Sequence, residues 1–208
     1  MPDEPATLLE LAKHAAVEAG KKVMEIYLSG DFERYNKDDN SPVTSADYAA
    51  NEIITNILNN SSNKLPIMSE EQNNGSLEER NHWEQYWLID PIDGTKEFIV
   101  KSGHFAINVA LIKNNEPVIG VIYWPVADTL YYASKDAGAF KVTNNQTQAI
   151  HVRQMQDPST DDIVVAISRE QPQEWVMSRM SSERHYTTLA LGLSLIHISE
   201  PTRLRSIS

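Results

Sequence analysis

Two segments near the start of the chain have the hydrophobic periodicity of amphipathic helices. Apolar side chains recur every three or four residues over Thr7–Leu28 and again over Ser45–Asn59, which predicts two amphipathic helices. Gly30 follows the first helix as a stop signal. The polar segment Asp31–Ser41 is expected to form a loop or a hairpin, and Pro42–Thr44 leads into the second helix. Two helices therefore open the chain.

Short apolar runs separated by polar turns dominate the rest. Two strands are predicted on either side of a polar loop: strands Leu65–Met68 and Tyr86–Ile89, with the loop at Asn73–Asn81. Four closely spaced runs then predict an antiparallel meander: Phe105–Ile112, Pro117–Trp124, Leu130–Ala133 and Ala139–Val142. Two further strands, Ile150–Arg153 and Ile163–Ser168, are expected to extend this meander. A helix is expected near Gln171–Ser182, followed by a last strand-like run at Tyr186–Leu189. Helices followed by a run of strands indicate an α+β fold.

Composition narrows the class of protein. The chain has 208 residues, a formal charge of −11 and no cysteine. The acidic balance argues against a nucleic-acid polymer as partner, although bound cations allow an anionic substrate. Disulfides and thiolate metal sites are excluded. No transmembrane segment is predicted and the acidic N-terminus is unlike a signal peptide, so we expect a cytoplasmic protein. Peripheral membrane association and the oligomeric state stay open.

Candidate chemistry is concentrated in the stretch YWLIDPIDGTKEFI, residues 86–99. Asp90 ends the apolar run, and Pro91 together with Asp93-Gly94 should stop the strand and fold the chain back within about four residues. Asp90 and Asp93 can then face one another across the turn. Two close carboxylates repel unless a proton or cation lies between them, and oxygen ligands in a short loop suit Mg²⁺.

Three features around this turn have both an ordinary and a functional interpretation. The D-x-x-D-G pattern is common turn chemistry, yet the residues after Gly94 could open a helix whose N–H groups, with Lys96, hold a phosphate. Glu70 and Glu71 follow a predicted strand and are either solvated surface or metal ligands. Asp47 fits a capping box with a threonine three residues earlier, which explains that pair without catalysis.

The motifs DPIDGTKEF, NSPVTSAD (residues 40–47) and MSEE (residues 68–71) occur in order. Together they resemble the inositol monophosphatase superfamily, most closely its branch of 3'(2'),5'-bisphosphate nucleotidases, over about residues 6–192. The resemblance implies a layered αβαβα fold, with N-terminal helices packed on a large antiparallel sheet. It also implies metal ligands at the Glu70, Asp90 and Asp93 side chains and the Ile92 carbonyl.

The same resemblance assigns roles to the neighbouring residues. Asp47 hydrogen-bonds Thr95, and the two orient the attacking water. Glu71 supports the site from behind the ligands. Glu70 also takes part in catalysis and, with Asp93, contacts the substrate, whose phosphate is held by the Gly94 and Thr95 amides. Lys96 is expected to contact the substrate's phosphates.

The function implied is removal of the 3'-phosphate of adenosine 3',5'-bisphosphate, giving AMP, by water activated by Mg²⁺. The resemblance further implies inhibition by lithium and a place in sulfur assimilation. The Lys96-Glu97 pair and NSPVT favour this nucleotide substrate over an inositol phosphate, which is the alternative within the superfamily. A non-catalytic, partly folded fragment that binds cations weakly is the alternative from another class.

The C-terminal stretch has a different character. Residues 193–203 read LSLIHISEPTR, which looks like a translated sequencing adapter, and residues 204–208 would be read-through, although a genuine strand is the alternative. We therefore expect a metal-site and phosphate-site domain over residues 1–150, the start of a truncated α/β domain over 151–192, and a non-native tail. The resemblance places a further ligand aspartate after a tryptophan in the missing half, and no tryptophan here precedes aspartate. An inactive truncation is the expectation.

Overall fold

The computed structural model describes residues 5–37, 41–62, 64–152, 154, 161–168, 172–180 and 184–191. The chain divides into two units, Met1–Ala149 and Ile150–Ser208. The predicted non-native tail at 193–208 lies outside the described residues. No helix in the described ranges is long and apolar enough to cross a membrane.

Both predicted helices of the first unit are confirmed. Helix α1 spans Pro5–Ser29 and α2 spans Ser45–Asn59. Between them lies the predicted hairpin, with β1 at Arg34–Asn36 and β2 at Pro42–Thr44 paired antiparallel. Pro42–Thr44 is therefore a strand and also the direct lead-in to α2.

A seven-stranded sheet with the order β3-β4-β5-β6-β7-β8-β9 forms the centre of the first unit. Its strands are β3 Ile67–Ser69, β4 Gln85–Asp93, β5 Ala106–Lys113, β6 Glu116–Trp124, β7 Thr129–Ser134, β8 Gly138–Thr143 and β9 Gln146–Ile150. Strands β4 to β8 pair antiparallel, as the meander predicts, whereas β3 runs parallel to β4. A single 3₁₀ turn, Pro125–Ala127, joins β6 to β7.

Small residues let α1 approach the sheet closely. Four alanines on one side of α1 are completely buried: Ala12, Ala15, Ala16 and Ala19. A Cβ atom on Gly20 would lie 2.3 Å from the Tyr123 Cε1 atom, so only glycine fits where the helix crosses β6. Helices α1 and α2 also pack against one another, and their apolar faces share one core with Trp87 and Ile107. This core fixes the strands that carry the site.

Two local predictions in the first unit are wrong. The expected polar loop Asn73–Asn81 contains a one-turn helix, α3 Leu77–Arg80, because Ser76 and Glu79 form a capping box at its start. The predicted strand Ile150–Arg153 is wrong, because β9 spans Gln146–Ile150 and starts directly after a turn at Asn144 and Asn145, whose φ angles are 51° and 59°, so that His151 and Val152 lie outside the strand. Such a tight turn fixes the register of the strand that follows.

The second unit contains two strands and a short helix among its described residues. Strand β10, Ile163–Ser168, pairs in parallel with β11, Tyr186–Leu191, in a separate two-stranded sheet. The expectation that Ile163–Ser168 extends the meander is therefore wrong. Parallel neighbours need a crossover connection, and helix α5, Gln173–Met177, lies within it.

Candidate active site

The Asp47 side chain joins the start of α2 to the turn after β4. Its Oδ2 accepts hydrogen bonds from the Thr44 backbone N–H at 2.8 Å and the Thr44 hydroxyl at 2.6 Å. Its Oδ1 accepts a hydrogen bond from the Thr95 hydroxyl at 3.0 Å. Asp47 is fully buried, and burial raises its pKa while the hydrogen bonds from Thr44 and Thr95 oppose the rise. The capping box and the contact with Thr95 thus coexist.

Strand β4 contains the irregularity that gathers the two aspartates. The sequence predicts that the strand stops at Asp90, but β4 continues to Asp93. Asp90 pairs with Asn108 and Asp93 with Ala106, so three steps along β4 match two steps along β5. Side chains three positions apart normally point to opposite faces of a strand, and the extra residue of a bulge restores the same face. Pro91, which lacks an N–H, suits this unpaired position.

Gly94 turns the chain directly after Asp93. Its φ of 94° is left-handed, and a Cβ atom there would lie 2.9 Å from the His104 carbonyl oxygen. Helix α4, Thr95–Ile99, starts at the next residue, so the predicted helix is present but short. The Thr95 Oγ1 atom also lies 3.2 Å from the Ile92 carbonyl oxygen. Glycine at this position therefore puts Thr95 beside both the bulge and Asp47.

The turn after β3 presents the two glutamates. Asn74 fixes this turn, since its side chain accepts from the Ser69 N–H at 2.8 Å and donates to the Ser69 carbonyl at 2.6 Å. The Glu70 N–H donates to the Ile89 carbonyl at 3.3 Å, which ties the turn to β4. Glu71 is almost completely buried, with 4% of its side chain exposed, whereas Glu70 is half exposed.

Lys37 follows β1 and forms ion pairs with both glutamates. Its Nζ atom lies 2.7 Å from Glu70 Oε1 and 2.6 Å from Glu71 Oε1. Burial disfavours the charged ammonium, but the hydrogen bonds to Glu70 and Glu71 outweigh it and raise the pKa of Lys37. Burial also raises the pKa of Glu71, and the Lys37 ammonium opposes that rise. A positive charge from the hairpin thus partly neutralises the acidic turn.

Asn108 on β5 completes the arrangement. Its Nδ2 atom lies 3.4 Å from Asp93 Oδ2 and donates to that carboxylate. The pKa of Asp93 is raised by burial and lowered in part by this hydrogen bond. Asp90 Oδ1 and Asn108 Oδ1 are buried, and neither has a hydrogen-bond partner among the described residues. The site therefore contains two acceptor oxygens that lack a donor.

The pKa of Asp90 lies far above its ordinary value. Burial raises the pKa of its carboxyl to about 8, and the negative charges of Asp93, Glu70, Asp47 and Glu71 add to the rise. The negative charge of Glu70 also raises the pKa of Asp93, so the acidic groups after β3 and on β4 lie close enough to repel one another. Carboxylates forced together in this way are a common feature of functional sites. The cluster needs protons or cations to be stable.

The oxygen atoms of the cluster suit a hard divalent cation such as Mg²⁺. As the described residues stand, no three acidic or histidine side chains lie close enough together to hold one metal ion. The Glu70 and Glu71 carboxylates instead form ion pairs with Lys37. The unpartnered oxygen of Asp90 is the atom that best fits a cation.

The residues predicted from the sequence thus come from four segments that meet at one edge of the sheet. Asp47, Glu70, Glu71, Asp90, Ile92, Asp93, Gly94 and Thr95 all lie there. Lys96 is the second residue of α4. Cavities of about 690 and 590 Å³ lie elsewhere on the first unit and contain none of these residues.

Sequence reasoning missed Lys37 and Asn108. Lys37 stands in a polar stretch with no motif, and no local signal marks its pairing with glutamates 33 and 34 positions away. Asn108 interrupts an apolar strand, which is the one local hint that a polar group is needed there. Together these observations define an α+β protein with an acidic, oxygen-rich site at one edge of its sheet.

The chain belongs to the Inositol monophosphatase family, which it matches over residues 4–199. It is 37% identical over 189 residues to the 3'(2'),5'-bisphosphate nucleotidase CysQ of Salmonella typhimurium. That match covers 90% of this chain and 74% of the relative. The corresponding CysQ of Escherichia coli K12 is 36% identical, with the same coverage of both chains.

Solved structures show the same architecture. The crystal structure of CysQ from Bacteroides thetaiotaomicron matches with a TM-score of 0.74 and 30% identity, covering 89% of this chain and 72% of that one. The extragenic suppressor protein suhB from Bartonella henselae matches with a TM-score of 0.69 and 25% identity, covering 89% and 71%. The α+β layering predicted from the sequence is confirmed.

Proposed function

We propose that the chain acts in Mg²⁺-dependent hydrolysis of the 3'-phosphate of adenosine 3',5'-bisphosphate, giving AMP and inorganic phosphate. The single observation that carries the proposal is the buried Asp90 carboxylate, which lacks a hydrogen-bond donor and faces repulsion from its acidic neighbours. The names of the bisphosphate nucleotidases to which the chain is 36–37% identical support the substrate. The link to sulfur assimilation that the sequence resemblance implies is part of the same proposal.

Glu70, Asp90, Asp93 and the Ile92 carbonyl are the groups that we propose hold the cation. When bound, Mg²⁺ supplies Lewis-acid polarisation of the phosphate ester and of the attacking water. Glu71, held by Lys37 at 2.6 Å, adds negative charge behind these groups. The Gly94 and Thr95 amides follow directly on the bulge and are proposed to donate to the phosphate oxygens.

Thr95 and Asp47 orient the nucleophile in this proposal. Because the Thr95 hydroxyl hydrogen is donated to Asp47 Oδ1, the lone pairs of Thr95 Oγ1 remain available to accept a proton from water. The water oxygen then forms a bond to phosphorus as the bond to the 3'-oxygen breaks, and the leaving 3'-oxygen takes a proton from solvent to give the 3'-hydroxyl of AMP. One water proton passes to Thr95 as the Thr95 proton passes to Asp47, whose raised pKa suits this role.

The proposal is tested by phosphate release from adenosine 3',5'-bisphosphate with Mg²⁺, in the presence and absence of Li⁺. Asp90→Asn is the matched inactive control, because it keeps the side-chain volume and removes the charge. For a version that carries a further C-terminal half, we expect release that depends on Mg²⁺, is suppressed by Li⁺ and is lost in Asp90→Asn. Equal release by wild type and Asp90→Asn would contradict the proposal. A clear preference for inositol 1-phosphate would replace the nucleotide by the inositol alternative.

If only a longer version carrying a further C-terminal half releases phosphate, the inactive truncation expected from the sequence is supported. Release by the 208-residue chain itself would overturn that expectation.

A further inference from the structure

Asn108 lies next to both aspartates of the bulge. It is the direct partner of Asp90 across the β4–β5 ladder, and such partners point to the same face with Cβ atoms about 4.5–5.5 Å apart. Its Nδ2 atom lies 3.4 Å from Asp93 Oδ2. One neutral side chain thus adjoins Asp90 and Asp93, which repel one another.

The orientation of the Asn108 amide follows from what Asp93 can accept. A carboxylate has no proton to donate, so the amide must turn its NH₂ group toward Asp93. The amide oxygen then points away from Asp93, and it is buried without a hydrogen-bond partner among the described residues. Asp90, which faces Asn108 across the ladder, also has a buried Oδ1 atom without a hydrogen-bond partner among the described residues.

Two buried acceptors with no donor are costly, since each unsatisfied group destabilises a fold by about 1–3 kcal/mol. Fixed cations satisfy such oxygens, and Asn carbonyl oxygens are ordinary ligands of hard divalent ions. A neutral ligand is also suited to a cluster that already contains five carboxylates, because it adds coordination without more repulsion.

We propose that Asn108 is a further cation-binding residue of this site. Its Nδ2 atom holds Asp93 in place, and its Oδ1 atom supplies a neutral oxygen to the divalent cation that Asp90 also binds. The inference deepens the proposed function and rests on it for the identity of the metal, but its test uses metal binding and stability as well as activity.

The test compares Asn108→Leu with wild type. Mn²⁺ is the probe, and its free concentration is followed by electron paramagnetic resonance without substrate. We expect Asn108→Leu to bind Mn²⁺ roughly tenfold more weakly or worse. In EDTA, removal of a buried oxygen without a donor raises the thermal midpoint of the variant and loss of the N–H donated to Asp93 lowers it, so the metal-free midpoint serves only to show that the variant folds. Unchanged Mn²⁺ affinity would overturn the inference.

Asn108→Asp separates binding of the cation from support of Asp93. This variant keeps an oxygen for the cation but loses the N–H donated to Asp93. We expect it to retain Mn²⁺ affinity within about threefold of wild type while its metal-free midpoint falls, because one more carboxylate joins the cluster. Equal loss of affinity in the Leu and Asp variants would show that Asn108 acts only through Asp93.

Thr129→Val is the matched structural control. Thr129 is a buried β7 residue whose hydroxyl bonds the Ala127 carbonyl at 3.0 Å, and it plays no part in the site. We expect its metal-free midpoint to fall while Mn²⁺ affinity stays at the wild-type value. A loss of affinity equal to that of Asn108→Leu would contradict the inference.

Phosphate release by the version with the further C-terminal half distinguishes failure of the proposed function from failure of the inference. Binding of Mn²⁺ through Asn108 without release of phosphate would remove the proposed function and leave the inference standing. Release of phosphate, with equal Mn²⁺ affinity in wild type and Asn108→Leu, would remove the inference alone. A wild-type chain that does not bind Mn²⁺ would overturn the inference.

Discussion

Thr95 Oγ1 lies 3.0 Å from Asp47 Oδ1, although the two residues are 48 positions apart. The same carboxylate accepts two hydrogen bonds from Thr44 and so caps α2. One buried side chain therefore fixes both the start of a helix and the hydroxyl that follows the bulge. Changes at Asp47 should affect stability and activity together.

Asp47→Asn tests this double role. The new NH₂ group would face the Thr44 donors or the Thr95 hydroxyl, so one set of hydrogen bonds is lost. We expect the free energy of unfolding, measured in urea, to fall by about 1–3 kcal/mol. The turnover number should fall roughly 10²–10⁴-fold, because the path for the water proton is broken.

Thr44→Ala is the control for the cap alone. It removes the hydrogen bond from the Thr44 hydroxyl to Asp47 Oδ2, keeps the backbone N–H donor to the same oxygen and leaves the Thr95 contact in place. We expect a loss of about 1 kcal/mol in unfolding free energy. The turnover number should fall far less than in Asp47→Asn. An equal fall in both variants would assign the effect on activity to the helix start.

Lys37→Met removes the ammonium that pairs with Glu70 and Glu71 but keeps an unbranched apolar side chain. The two carboxylates then repel without compensation, so the metal-free protein should lose roughly 1–3 kcal/mol. Added Mg²⁺ should raise its thermal midpoint by more than it raises that of wild type, because a cation replaces the missing charge. Thermal unfolding in EDTA and in MgCl₂ measures both.

Lys135→Met is the matched surface control for Lys37→Met. The Lys135 ammonium pairs with Glu116 at 2.7 Å, but both side chains are more than half exposed. Exposed pairs contribute little to stability. We expect no measurable change with or without Mg²⁺. A metal-dependent change like that of Lys37→Met would show that removal of any lysine charge produces the effect, and that the position of Lys37 in the site is not its cause.

The pH dependence of metal-free stability should follow the acidic cluster. The pKa of Asp90 rises from an ordinary 3.8 to about 8 on folding, so between these values the folded state binds more protons than the unfolded state. Asp47, Glu71 and Asp93 shift in the same direction. In EDTA, the unfolding free energy should therefore fall as the pH rises from about 5 to 8.

Saturating Mg²⁺ should flatten or reverse this slope, because it favours the ionised carboxylates. Asp90→Asn should weaken the slope in EDTA. Urea unfolding at several pH values checks both expectations. A stability that rises with pH in EDTA would contradict the repulsion inferred at Asp90.

Gly94→Ala tests the turn between the bulge and Thr95. At this position, φ is left-handed and the new Cβ atom would approach the His104 carbonyl oxygen to 2.9 Å. Gly138→Ala is a matched control, since φ there is 89° and nothing lies within 4 Å of a Cβ atom. We expect a loss of about 1 kcal/mol for Gly138→Ala from the backbone alone. Gly94→Ala should lose more and should also reduce phosphate release.

Lys96→Thr tests the preference for bisphosphorylated substrates. A lysine ammonium forms charge-assisted hydrogen bonds with phosphate, so its loss should penalise a substrate with two phosphates more than one with a single phosphate. We expect the ratio of kcat/KM for adenosine 3',5'-bisphosphate over adenosine 3'-monophosphate to fall roughly tenfold. An unchanged ratio would remove Lys96 from substrate selection.

Local signals in the sequence determined the helices and the strand runs, whereas the predicted ligand set was implied by the resemblance of the motifs to a family. Helical period and the Thr44–Asp47 capping box are properties of neighbouring residues, so α1 and α2 were predictable. The strand after Tyr86 and the acidic pair around Pro91 were visible for the same reason. The motifs also indicated the family.

Only the tertiary structure decided how these segments meet. The bulge that turns Asp90 and Asp93 to one face depends on the register of β4 against β5, which no local pattern encodes. Lys37 reaches the glutamates, and Asn108 reaches Asp93, through contacts between segments distant in sequence or on different strands. Strand β10 pairs with β11 in parallel because a crossover brings them together. Chain packing, rather than residue type, sets these partners.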